Sequence, residues 1–207
     1  MVQGDETGDT PLVEKAKAYL KKKYAKPGNV FLGVVHRLDR PTSGVVVFAK
    51  TSKALTRLNE QFRNRSVTKK YWALVSACFP EQKGTLTHWM RRNRQQNKSY
   101  AHTKEVAHSK KAVLHFKKQA VSDYYALLEI EIETGRHHQI RAQLSAIGYP
   151  IKGDLKYGAK RSNADGGICL HAHRLRFLHP VKKEEISLTA TTPDTNLWNA
   201  FPFGLKE

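Results

Sequence analysis

Acid is in short supply in this chain: 18 Asp and Glu stand against 36 Lys and Arg, a formal net charge of +18 over 207 residues. Such an imbalance argues for a polyanionic partner, because each Lys or Arg placed on a phosphate releases a condensed counterion. Long apolar runs are missing too; none approaches the length needed to cross a bilayer. A basic protein can also meet anionic lipid, but no strongly amphipathic basic helix is evident, so nucleic acid is the better fit. The first residues, Met1 to Thr10, are polar and acidic and lack the basic and apolar blocks of a signal peptide. A cytoplasmic protein with a loose stretch over 1–10 is the expectation. Cysteine is scarce: Cys78 and Cys169 form no CxxC pair, which excludes a disulfide framework and leaves two free thiols packed as small apolar groups. Histidine is plentiful, and Cys169, His171 and His173 alternate along a possible strand. Zinc needs a second ligand pair at useful spacing and none is present, so no metal is expected.

What the chain does contain is a globular composition, 40% hydrophobic, long enough for one substantial domain. The positive charge is concentrated in the middle: Lys50 to Lys118 holds 17 Lys and Arg against 3 Asp and Glu. In order, Thr10-Pro11 reads as an N-cap and first helical residue, and Leu12, Ala16, Tyr19 and Leu20 form one face of a helix that ends before Pro27-Gly28. The β-branched runs Val30 to Val35 and Val45 to Ala49 read as buried strands either side of a polar loop with Pro41 and Gly44. Ser52 caps a second helix with Leu55, Leu58 and Phe62 inward. Lys69 to Ala77 is a strand, and Lys111 to Lys118 with Asp123 to Glu133 forms a hairpin turning at Ala120-Val121-Ser122.

In the second arm of that hairpin Leu128, Ile130 and Ile132 face one way and three glutamates the other. Ile140, Leu144 and Ile147 give a helix that stops at Gly148, with His137 and Arg141 on a neighbouring face. Cys169 to Leu175 and Glu185 to Thr189 are the last strands, and a tail over 191–207 offers Trp198 and Phe201 for docking. Gly84 to Glu105 has two readings: basic residues interleaved with aromatics suit a surface that tracks a nucleic-acid backbone, and equally an irregular basic loop.

The loop His36-Arg37-Leu38-Asp39-Arg40-Pro41-Thr42-Ser43-Gly44 carries one acid among two arginines and a histidine. Taken alone, Asp39 could equally be a turn cap beside solvated arginines. As a string, these nine residues resemble the HRLDxxTSG signature of the RluA-type pseudouridine synthases, whose aspartate is catalytic. The strand Lys69 to Ala77 resembles that family's KxYxAxV strand, which puts its active-site tyrosine on Tyr71. Thr134 to Arg141 resembles its TGRxHQ(I/L)R motif, which puts its active-site arginine on Arg141. Ala146 to Gly158 is similar to the ALGHPIxGDxxYG-like run that follows, and Leu170-His171-Ala172 to a late LHA strand near the base pocket, where Leu170 is either a pocket wall or plain core packing. The resemblance spans roughly residues 30–190. It departs from the family in having neither the Lys-Pro-x-Gly strand usually found upstream of the signature nor the small N-terminal RNA-binding domain of some relatives. Without that strand one sheet edge is not settled by the resemblance, and the basic middle of the chain would have to grip RNA alone.

What the resemblance implies is an α+β fold: a single catalytic domain over 1–207 with a mixed, largely antiparallel sheet flanked by helices. The implied reaction isomerises uridine to pseudouridine in ribosomal or transfer RNA. It needs no redox step or energy input, hence no cofactor. Asp39 would act as nucleophile or base; attack at C1′, attack on the ring and removal of a sugar proton all stay open. The planar fork of Arg141 suits bidentate pairing with Asp39 across the cleft. Tyr71 would lie against the flipped base and Arg37 in the space it vacates, with His36, Arg40, Arg136 and His137 on the RNA side. A monomer is expected. Two other functions fit the composition: a noncatalytic RNA-binding or ribosome-assembly protein on the same fold, and a base-excising glycosylase.

Overall fold

Two stretches buried on both faces set the middle of the molecule: Trp72 to Val75 and Ala126 to Leu128. Strands covered from both sides carry near-continuous apolar runs, and these two pair antiparallel, Ala73 opposite Leu128 and Leu74 opposite Leu127. The structure, a computed structural model, describes Val2 and residues 8–201. Chain order is α1 (Leu12–Lys23), β1 (Gly33–Val34), β2 (Ser43–Gly44), β3 (Phe48–Ala49), α2 (Ser52–Arg63), β4 (Thr68–Ser76), β5 (Lys83–Asn93), β6 (Lys98–His102), β7 (Lys110–Val121), β8 (Tyr125–Ile132), α3 (Gln139–Ala146), a 3-10 turn (Leu155–Tyr157), β9 (Leu170–Leu178), β10 (Glu185–Thr189) and α4 (Asn196–Asn199). The main sheet runs β10-β9-β4-β8-β7-β5-β6, all antiparallel, and β2 adds to β9 as a parallel partner; β1 and β3 pair separately. A mixed, largely antiparallel sheet flanked by helices is thus what the chain forms.

Several local expectations shift. The strand expected over 30–35 shrinks to Gly33–Val34, because only this pair finds a partner, in Phe48–Ala49. The N-cap of α1 is Pro11 instead of Thr10, and that of α2 is Thr51 instead of Ser52, its hydroxyl accepting from the Ala54 N–H at 3.1 Å. The apolar stripe of α1 is not buried: Leu12 and Tyr19 are exposed and Val13 packs instead. The β7–β8 turn comes later than expected, at Ser122 to Tyr125, since an irregularity near Gln119 lets Ala120 and Val121 stay in the ladder. Gly84 to Glu105, which reads two ways as sequence, holds the β5–β6 hairpin. Near the ends, Asp9 pairs with Arg40 and the Val2 carbonyl accepts from Val13, so these residues of the stretch expected to be loose are held; residues 1 and 3–7 lie outside the described residues. Trp198 and Phe201 dock into the core as expected, and 202–207 also lie outside.

The polar loop is fixed by its exit. The Thr42 N–H closes onto the Asp39 carbonyl, the Ile168 N–H binds the Pro41 carbonyl, and Val45 continues onto Ala172. Gly44, at φ +121°, lies so close to β9 that a Cβ would stand 2.5 Å from the Ala172 amide nitrogen. Gly44→Ala should therefore cost about 2 kcal/mol or more, from strain plus overlap. A denaturation midpoint equal to the parent's would contradict this packing.

Candidate active site

Three elements far apart in sequence deliver side chains to one cavity of about 1210 Å³. Asp39 comes from the loop between β1 and β2, Tyr71 from the central strand β4, and Arg141 from the first turn of α3. The loop is steadied by Ser43, whose hydroxyl is 2.8 Å from His171 Nδ1 on β9. His171 Nε2 faces the Ala190 carbonyl at 3.1 Å and must donate to it, so Nδ1 is the acceptor and Ser43 the donor. Tyr71 is placed where β4 changes register against β9, so that it opposes Ala172 on one side and Ile130 on the other.

Arg141 is 4% exposed, on a helix buried from Gln139 through Leu144; it is no surface charge. Its Nε donates to Asp154 Oδ2 at 2.7 Å, its Nη2 to Asp154 Oδ1 at 2.8 Å, and its Nη1 to Asp39 Oδ2 at 3.2 Å. Here the bidentate pairing expected between Arg141 and Asp39 is corrected. The fork belongs to Asp154, itself 1% exposed, and Asp39 receives the single remaining nitrogen. Burial works against the guanidinium's charge, but the Asp154 bonds and charge, then Asp39, outweigh it and push its pKa up.

Asp39 keeps 29% of its side chain exposed. Burial raises its carboxyl above the ordinary range; Arg141 opposes this through charge and hydrogen bond, Asp154 adds to it, and Arg37 opposes it. Burial and the Asp39 charge push the Tyr71 phenol up, which keeps it protonated. An acid eased toward accepting a proton beside a protonated phenol and a fixed cation can do nucleophilic or general-base work.

The other expected residues divide. Arg37, exposed, lines the cavity; so do Arg40, paired with Asp9, and Arg136, whose Nε donates to the Lys111 carbonyl at 3.1 Å. His36 lines it as well, stacked on Phe62 and accepting the Val47 N–H at 3.1 Å. His137 lines it with Ser99 Oγ at 2.8 Å from Nδ1 and Asn97 Oδ1 at 3.1 Å from Nε2. Leu170 does not: it is buried in the main core and stays off the cavity wall, because β9 turns that side chain inward. Asp154, His138 and Tyr157 also serve the site and are not among the residues that the sequence marks. The Gly153-Asp154 and Tyr157-Gly158 pairs are visible as a motif, but nothing local says that an acid there will be buried against an arginine 13 residues earlier.

A family model described as RNA pseudouridylate synthase matches residues 3–146. The chain belongs to the RNA pseudouridylate synthase family. Among relatives, it is 36% identical over 162 residues to the Bacillus subtilis (strain 168) protein named uncharacterized RNA pseudouridine synthase YlyB, covering 78% of this chain and 52% of that one. It is also 36% identical over 173 residues to ribosomal large subunit pseudouridine synthase C of Buchnera aphidicola subsp. Baizongia pistaciae (strain Bp), covering 80% and 54%. The chain thus spans about half the length of these curated relatives. Human RNA Pseudouridylate Synthase Domain Containing 4 has the same fold, with a TM-score of 0.75 at 24% identity over 93% of this chain and 82% of that one. Human RNA Pseudouridylate Synthase Domain Containing 1 superposes with a TM-score of 0.70 at 26% identity, over 88% and 77%. For this family member the signature loop, the KxYxAxV-like strand and the TGRxHQIR-like segment all line one cavity.

Two outcomes follow for a family member built this way. Asp154→Ala should lose about 3–5 kcal/mol of stability, because it strands the buried Arg141 charge; a chemical denaturation curve matching the parent would contradict the pairing. His36, His137 and His138 are held neutral, their pKa values lowered from 6.5 to about 4, 4 and 3, first by burial and then by neighbouring cations. Between 6.5 and those values the unfolded chain binds more protons than the folded one, so their contribution is complete above pH 6.5 and lost as pH falls toward 4. The melting midpoint should drop over that window, and less steeply in His36→Gln; a flat profile in the parent would refute it.

Proposed function

We propose that this chain converts specific uridines of structured RNA into pseudouridine, acting as one catalytic domain without a cofactor. The observation that supports it best is the convergence of Asp39, Tyr71 and Arg141 on one cavity, with Arg141 3.2 Å from the acid. The reaction breaks the bond from the base to C1′, turns the base, and rejoins it through C5. Asp39 is the group suited to begin it, as nucleophile at C1′ or the ring, or as base toward a sugar proton. Tyr71 lies against the base, and the cavity keeps the detached uracil from exchanging with solvent.

The base cannot be reached inside a stacked helix, so the nucleotide is flipped out at a cost of a few kcal/mol. Arg37, exposed beside Asp39, fills the vacated stack. Arg63, Arg65, Lys69, Arg92, Arg136 and Lys156 also line the cavity and supply phosphate contacts that offset the cost. The cavity volume is about 1210 Å³. That is larger than most small-molecule sites and suits a nucleotide with its neighbours. One relative is named for the ribosomal large subunit, so the RNA of that subunit is the first substrate class to test and transfer RNA the second.

The test is incubation with unmodified ribosomal and transfer RNA, followed by chromatography of the nucleoside digest. Pseudouridine should form with the parent protein, and Asp39→Ala should lower the rate by about 10²–10⁴-fold or more. RNA binding without product would favour the noncatalytic alternative. Release of free uracil would favour a glycosylase.

A further inference from the structure

His138 is the residue of the cavity wall with the fewest obvious reasons to be where it is. It caps α3 in the left-handed region, at φ 53° and ψ 29°. That conformation is uncommon for a non-glycine residue. Its ring is buried, stacked on His137 at 3.7 Å, with its edge toward Tyr157. Nδ1 lies 2.9 Å from the Tyr157 hydroxyl, and Nε2 points at Asp39 Oδ2, 3.8 Å away.

The hydrogen-bond inventory fixes the tautomer. The Tyr157 oxygen accepts the Ser99 N–H at 2.9 Å, and its single hydrogen has His138 Nδ1 in line to receive it. That leaves the ring proton on Nε2, facing the carboxylate. The opposite tautomer would aim a nitrogen lone pair at an anionic oxygen. The gap of 3.8 Å is longer than a hydrogen bond. A side-chain movement of less than an ångström closes it. Oδ2 is also the oxygen that Arg141 holds, whereas Oδ1 makes no hydrogen bond among the described residues.

We propose that His138 is a positioning residue for Asp39: oriented by the Tyr157 hydroxyl, it backs Oδ2 together with Arg141 and leaves Oδ1 as the oxygen that meets the substrate. This rests on the function proposed above and adds the element that sets the carboxylate's rotation. A carboxylate free to turn about its Cβ–Cγ bond would present either oxygen; one pinned at Oδ2 presents one. The charged and titratable groups around the pair are Arg141 and His137 on the α3 side, Asp154 and Lys156 on the turn after it, Arg37 on the signature loop, Arg92 on β5 and Tyr71 on β4.

The test compares His138→Ala, His138→Gln, Tyr157→Phe and the double variant His138→Ala/Tyr157→Phe with the parent, each checked for an unchanged melting midpoint. His138→Ala should lower kcat about 10- to 100-fold with KM for RNA little changed, the size of effect a misplaced reacting group produces. Its acid limb should move to higher pH, since a donor to the carboxylate is gone. His138→Gln, which restores an N–H near the Nε2 position, should recover part of the rate. Tyr157→Phe should move kcat in the same direction, and the double variant should be no worse than His138→Ala alone, because the two act in series.

Parent-like kcat and pH profile in both single variants would overturn the proposal, and so would additive losses in the double variant. A readout independent of turnover is the imidazole ¹⁵N spectrum of the parent protein, which should show His138 protonated at Nε2 and unprotonated at Nδ1 across the neutral range. An Nδ1–H signal for His138 would sink it even if the enzyme is active. If instead the parent makes no pseudouridine, the function proposed above fails, and the spectrum still decides the tautomer.

Discussion

The arrangement turns on one buried guanidinium shared between two carboxylates. Arg141 gives its Nε and Nη2 to Asp154 and its Nη1 to Asp39, so its orientation is settled by the acid that takes no part in lining the cavity. A charge 4% exposed survives in the interior only because its partners stay with it, and breaking such a pair costs more than forming it gains. The contact with Asp39 is therefore delivered by a rigid side chain. The same arrangement explains why α3 is buried on every side across Gln139 to Leu144: it must carry its arginine inward and not outward.

The signature loop is held in a comparable way from the other side. Its carbonyls at Asp39 and Pro41 accept from Thr42 and Ile168, its Ser43 hydroxyl reaches His171, and Gly44 lets the backbone come within pairing distance of Ala172. These contacts give a physical meaning to residues that as a string are only a pattern. The Thr-Ser-Gly end of the loop and the Leu-His-Ala strand are two halves of one junction. Asp39 thus projects from backbone fixed on its exit side, which is what a site demanding small positional error requires.

Charge is distributed to match. The cavity is bordered by arginines and lysines that would draw in a polyanion, while the histidines within it are kept neutral by burial and by those same cations. Neutral imidazoles can accept and donate in fixed directions, which a set of titrating ones could not do near neutral pH. Burial also eases the Asp39 carboxyl upward against the pull of Arg141.

Much of this is legible along the chain. The alternation of Leu128, Ile130 and Ile132 marks a strand, the spacing of Ile140 and Leu144 marks a helix, and the nine-residue loop with its acid marks a place for chemistry, because each depends on neighbours within a few residues. Most element types, the family and the candidate residues Asp39, Tyr71 and Arg141 can be read without coordinates, whereas the β5–β6 hairpin cannot. Folding settles the remainder: which acid takes the fork of Arg141, that Leu170 faces the core, that α1 leaves Leu12 and Tyr19 exposed, and that Tyr157 sits against His138. Those outcomes depend on which surfaces meet after folding. A hydrogen bond or an ion pair is specified by distance in space, and a linear pattern carries no record of that distance.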